Sequence, residues 1–191
     1  MRKEYQTMYF GRKGDRIQVL HLRKPIRLGL AGMVSSKQFG SNIALVVADT
    51  GFMDFDFACL GYAAGGTAPR ILMTREIFYD FKRGSNMARM IVFHEIGHYC
   101  NKDHFNRAGS GEEANAARIQ AVSSGVVDSK EAAADHYAVR YLGKEAVVAG
   151  LREIRQELQH LYGTDEYDAE SYNAAITELD LRINVISKAI R

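Results

Sequence analysis

Apolar residues recur along this chain with two different periods, and the switches between them mark out its elements. Glu4 to Phe10 and Ile17 to Leu22 both alternate as strands do, and GRKGD between them supplies turn chemistry, which predicts an N-terminal hairpin serving as scaffold. Pro25 opens PIRLGLAGMVSSKQFG, whose pattern predicts a short, glycine-weakened helix ending near Gly40. Asn42 to Ala48 is a continuous apolar run, the pattern of a central strand covered on both faces. Phe52 to Leu60 alternates, with Met53, Phe55 and Phe57 opposite Phe52, Asp54 and Asp56, as a half-buried strand near a sheet edge would. Arg70 to Thr74 predicts a further short strand, and Glu76 to Phe81 a helical turn or two.

Beyond this point the helical period takes over. Met87, Met90, Ile91 and His94 fall at i, i+3, i+4 and i+7, and Ser85 is a good N-cap, so a helix should run from Asn86 to Cys100 and end at Asn101 and Asp103. Asn106 to Lys130 reads as a polar connection holding a short helix at Ala114 to Val122, followed by a strong helix from Lys130 to Leu142. Val147, Leu151, Ile154, Leu158 and Leu161 form one apolar stripe, and Ile176, Leu179, Ile183, Ile186 and Ile190 a second, with Gly163 and Thr164 between them. These two stripes predict a C-terminal helical hairpin at 144–191, packed on a domain at 1–143. Homo-oligomerisation through the same helices is the competing use.

Composition bounds the class. With 191 residues, 47% of them hydrophobic, and a net charge of +2, the chain can bury a sizeable core. Residues 1–30 hold eight Lys/Arg against two acids, which would suit an anionic partner, but the near-neutral total argues against nucleic acid. Cys59 and Cys100 are too few for a disulfide framework, so a reducing compartment is expected. No apolar run approaches the ~18 residues that span a bilayer, so the expectation is a soluble, cytoplasmic protein without membrane contact. The glycines are not followed by GK(S/T), which excludes a phosphate loop.

The chemistry concentrates in FHEIGHY, Phe93 to Tyr99. His94 and His98 are one helical turn apart, close enough to share a tetrahedral zinc ion, and they end a buried apolar stripe where polar rings need partners. Glu95 projects roughly 100° away from His94, which suits a general base acting on a metal-bound water better than a ligand. A catalytic zinc takes a third protein ligand, and two candidates compete. His104 gives HEIGHYCNKDH, the metzincin spacing with Asn101 in place of glycine, but no methionine follows Met90 to form the methionine turn of that class. Glu131 stands in EAAADHYA, where Ala132, Ala133 and Ala134 would let its helix approach the zinc helix closely. Asp135, one turn on, shares its face and could hold the N–H of a ligating imidazole. Asp128 and Glu131 also read as a capping box.

HEIGHYCNKDH followed by EAAADHYA resembles the gluzincin zinc peptidases, with their HExxH and later ExxxD, and in particular soluble minigluzincins and the catalytic domain of prenyl-protein-type endopeptidases. PRILMTREIFYDF is similar to the segment that precedes HExxH in those enzymes, so the resemblance covers roughly Ala58 to Leu142. It implies an α+β, zincin-like fold: a small mixed sheet packed on an HExxH helix and a glutamate helix. It further implies that His94, His98 and Glu131 bind Zn2+, that Glu95 is the base, and that Asp135 supports His94. The expected activity is hydrolysis of protein or peptide substrates, with a strand at Phe52 to Leu60 or Arg70 to Thr74 offering an edge for them. His136, Tyr137, Tyr141 and His160 are candidate oxyanion donors. Cys100 should face away from the metal as a buried thiol. The competing readings are a catalytically silent zincin fold kept for binding or regulation, and a metzincin-like protease using His104.

Overall fold

Alternation builds the N-terminal hairpin in the computed structural model, which describes residues 5–24, 27–48, 58–62, 68–102, 119–161 and 169–188. Strands β1 (Tyr5–Arg12) and β2 (Asp15–Leu22) pair antiparallel without a break, from Tyr5 opposite Leu22 to Arg12 opposite Asp15. Ile17, Val19 and His21 point inward and are buried. The hairpin leads into β3 (Gly29–Ser35), β4 (Ile43–Val47), β5 (Ala58–Tyr62) and β6 (Pro69–Met73). Together they form one sheet in the order β1-β2-β3-β4-β6-β5. It is mixed, because β4 and β6 run parallel while the other neighbours are antiparallel.

Two expectations change here. The helix expected between Pro25 and Gly40 is instead strand β3 at Gly29–Ser35, residues 25–26 lying outside the described part. Glycines weaken a helix there, and Gly32 suits a strand at close quarters, since a Cβ on it would lie 2.4 Å from the Leu20 carbonyl oxygen. Strand β4 is central but not covered on both faces: Ile43, Leu45 and Val47 are buried while Ala44 and Val46 stay partly exposed. Among the described residues the helices gather on the other side, against Ile17, Val19, Ala31, Val34, Ile71 and Met73.

The helices α1 (Arg75–Arg83), α2 (Asn86–Asn101), α3 (Ser129–Leu142), α4 (Lys144–Leu161) and α5 (Ala169–Lys188) follow in order. A helical stretch at 119–123 precedes α3, and the remainder of the expected short helix, with residues 103–118, lies outside the described residues. Thr74 caps α1, accepting from the Ile77 N–H at 3.2 Å, and Gly84 ends it in the left-handed region. Ser85 caps α2 as expected, and Glu153 of α4 accepts from the Met87 N–H at 3.0 Å, satisfying a second free donor of that first turn. Met90, Ile91, Val92, Phe93 and Ile96 bury α2 on almost every side. It runs beside β5 and β6 and carries α3 and α4 against it. Two glycines make these contacts close: Gly97 faces Ala134 of α3, and Gly150 of α4 faces the Asn86 carbonyl. No helix among the described residues is long and apolar enough to cross a membrane.

Candidate metal centre

The tight crossing of α2 and α3 is what assembles the site. A Cβ at Gly97 would stand 2.8 Å from Ala134 Cα, so only glycine lets the two helix backbones meet there. The alanine run at Ala132 to Ala134 contributes the other half of that approach. One turn before Ala134 on α3 lies Glu131, and on α2 His94 lies one turn before Gly97 and His98 directly after it. His94, His98 and Glu131 thereby offer one ligand atom each within 4.8 Å of one another.

The separations suit a single ion. His94 Nε2 and His98 Nε2 are 3.0 Å apart, and the Glu131 oxygens lie 3.0 Å from His94 Nε2 and 3.3 Å from His98 Nε2. Ligands at about 2.0–2.1 Å in a tetrahedron stand about 3.3 Å from each other, so separations of this size fit donors to a single ion. Two imidazoles and a carboxylate are also an appropriate set for zinc, though other divalent metals accept it. Residues of this kind at these distances can hold a metal ion. Glu131 is not spent on a capping box, because Asp128 caps α3 by accepting from the Lys130 N–H at 2.8 Å while the Glu131 carboxylate turns to the histidines.

Behind the three lies a charged layer. His94 Nδ1 is 2.8 Å from Asp135 Oδ1, an arrangement that fixes the imidazole with Nδ1–H donating and Nε2 turned to the cluster. Asp135 is 2% exposed, and its second partner is Arg182 of α5, which donates through Nη2 to Oδ1 at 2.6 Å and through Nε to Oδ2 at 2.8 Å. Arg182 Nη1 also lies 3.4 Å from Glu131. Burial and the Arg182 charge push the His94 imidazole down, but the Glu131 and Asp135 carboxylates outweigh them and hold it at about 10. Glu131 is resisted by burial, yet the His94 charge and the hydrogen bonds from His94 and His98 bring it well below the usual carboxylate range. Asp135 is lowered in the same way, by Arg182 above all, against its burial.

Glu95 follows His94 on α2 and is partly exposed. Arg182 is the site residue that sequence reasoning missed. The sequence shows only that Glu178 and Arg182, one turn apart, border the buried Leu179, which does not tell which charge turns inward. The candidate oxyanion donors do not come to the cluster as a group. Tyr141 gives its hydroxyl to Asp15 at 2.7 Å, and His136 and His160 are exposed. Burial and the neighbouring Cys100 thiol push the Tyr137 phenol far up, and burial raises Cys100 itself, which stands outside the metal cluster. Asn101 remains helical, and Lys102 takes the left-handed conformation at φ 59°. His104 lies outside the described residues. Strand β6 is interior to the sheet, which leaves β5 as the edge beside α2; of Phe52 to Leu60, residues 52–57 lie outside the described part.

No family model, no curated protein and no solved structure matches this chain. What the fold and the site define is an α+β protein with a three-residue cluster able to bind a metal.

Proposed function

We propose that the chain is a zinc-dependent endopeptidase of gluzincin type on a zincin-like fold. The observation that carries this reading is the meeting of His94, His98 and Glu131 at single-ion distances, with a further acid, Glu95, next to a ligand on the same helix. A structural site has no use for that acid, whereas metal-assisted hydrolysis requires one. Bound zinc would supply Lewis acidity and a water whose pKa falls toward about 7. Glu95 takes the proton of the attacking water and passes it to the leaving amine, so no covalent intermediate is needed. Asp135 holds the Nδ1–H of His94 and so keeps Nε2 free to ligate, and Arg182 keeps Asp135 ionised and aimed. An extended peptide pairing with the β5 edge would run alongside α2 and bring its carbonyl to the cluster.

The test is cleavage of a mixed peptide library by the zinc-loaded chain, with and without a chelator, beside the variant Glu95→Gln. The expected outcome is cleavage that the chelator abolishes. Glu95→Gln should keep its zinc and lose about 10²–10⁴-fold in rate. Absence of cleavage by the zinc-loaded chain, or full activity in Glu95→Gln, overturns the reading.

A further inference from the structure

Strand β1 is the end of the sheet, bonded to β2 on one side and, among the described residues, to nothing on the other. Free edges are normally blunted by charge, proline, a bulge or brevity. From Tyr5 to Gly11 this edge has none of these, and its one charge, Arg12, stands at the turn. It is eight residues long, its register with β2 is unbroken, and Tyr5 to Gly11 contain neither a charge nor a proline.

Which backbone groups stand free follows from the hairpin. Its two-residue turn, Lys13 and Gly14, makes Arg12 and Asp15 the first hydrogen-bonded pair, so Phe10, Met8 and Gln6 bond to β2 in alternation. Gly11, Tyr9, Thr7 and Tyr5 therefore aim their N–H and C=O groups away from β2. Tyr9, Thr7 and Tyr5 face the side of the sheet opposite the helices, where Tyr9 is 60% and Tyr5 38% exposed.

We propose that two copies of the chain pair through β1, antiparallel and centred on Thr7, to form one continuous sheet across a two-fold axis. A symmetric pairing must set outward-bonding residues opposite one another, which restricts the choice to odd with odd. Centred on Thr7, each Tyr5 meets the other copy's Tyr9 and Thr7 meets its own equivalent. Aromatic with aromatic and threonine with threonine are favourable cross-strand pairs. A centre at Met8 would put Tyr5 opposite Gly11 and lose both aromatic pairs. It would also bring the Gly11 end, which α3 covers through Tyr141, toward the axis. The occupant is a second copy on charge grounds as well, since Tyr5 to Gly11 of two identical strands bring no like charges together. A specific interface needs about 1,000 Å². A single strand pair is a small interface by that measure, so association should be reversible and concentration-dependent.

The experiment is sedimentation of the full chain across the micromolar range, combined with amide exchange at low and high concentration. Expected are a doubling of mass and slower exchange at Tyr5, Thr7 and Tyr9 as the dimer fills. Thr7→Lys, which sets two ammonium groups opposite each other on an exposed position, should weaken association several-fold and leave the circular dichroism unchanged. A chain that stays monomeric at every concentration overturns the proposal. So does a dimer whose Tyr5, Thr7 and Tyr9 amides exchange as fast as the monomer's, or one that Thr7→Lys leaves intact.

Discussion

Arg182 grips Asp135 through two hydrogen bonds, 2.6 and 2.8 Å long, and the oxygen that takes the shorter one also holds His94 Nδ1 at 2.8 Å. A residue of α5 thus fixes the orientation of a candidate ligand on α2. Removing the guanidinium leaves Asp135 buried with one partner fewer, and breaking such a pair costs about 3–5 kcal/mol. Arg182→Ala should therefore melt well below the natural chain. Loss of a partner behind a ligand typically lowers metal affinity about 10–100-fold. Competition for zinc against a chromogenic chelator measures this, and an unchanged affinity in a folded Arg182→Ala would contradict the role given to the residue.

How much of this was readable beforehand depends on sequence distance. His94 and His98 were legible because the spacing that joins them is local to one helix, and Glu131 because three alanines signal a close neighbour. Arg182 makes its contact across 47 residues, and no local pattern encodes which of several charges on an amphipathic helix turns inward. Strand β3 was misread for a related reason. Its conformation is imposed by pairing with β2 and β4, which overrides the helix start suggested by Pro25. The partial exposure of Ala44 and Val46 likewise depends on which sheet face the helices choose, and an apolar run does not carry that choice.

Gly97 sets the distance between the helices that carry the candidate ligands. In Gly97→Ala the new methyl carbon would meet Ala134 Cα at 2.8 Å and its carbonyl oxygen at 2.9 Å, both backbone atoms that cannot rotate away. Better helix propensity returns about 1 kcal/mol, while overpacking costs about 1–3 kcal/mol, so the net should be a modest loss of stability. The larger effect falls on the site, since Glu131 must move off with α3; metal content measured on the purified variant should drop sharply. Gly40→Ala, where a Cβ meets nothing within 4 Å, serves as the control and should change neither property.

Metal uptake should expel a proton. In the metal-free protein the His94 imidazole is held at about 10, above its ordinary 6.5, so at neutral pH it carries a proton that a ligand cannot keep. Apparent affinity should rise about tenfold per pH unit through the neutral range and level off as pH passes about 10. The same shift gives His94 a contribution to the metal-free chain's stability that is complete below 6.5 and lost as pH rises through about 10. Calorimetric titration with zinc in two buffers of different ionisation enthalpy counts the protons released; a count of zero near neutrality would contradict the carboxylate environment described for His94.

His21 behaves in the opposite sense. It is 1% exposed, donates from Nδ1 to the Leu22 carbonyl at 3.2 Å, and its Nε2 has no hydrogen-bond partner among the described residues. Burial pushes the imidazole below its ordinary 6.5, and the Lys82 and Arg23 charges add to this against the pull of the Leu22 carbonyl. The folded chain therefore refuses a proton that the unfolded chain accepts, so stability is lost as pH falls below 6.5. Replacing the ring with an apolar side chain removes both the titration and a buried polar atom, whose isolation costs about 1–3 kcal/mol. His21→Leu should be at least as stable as the natural chain at neutral pH and should lose less on acidification. Urea denaturation midpoints at a series of pH values compare the two, and parallel curves below pH 6.5 would show that the buried imidazole does not govern the acid response.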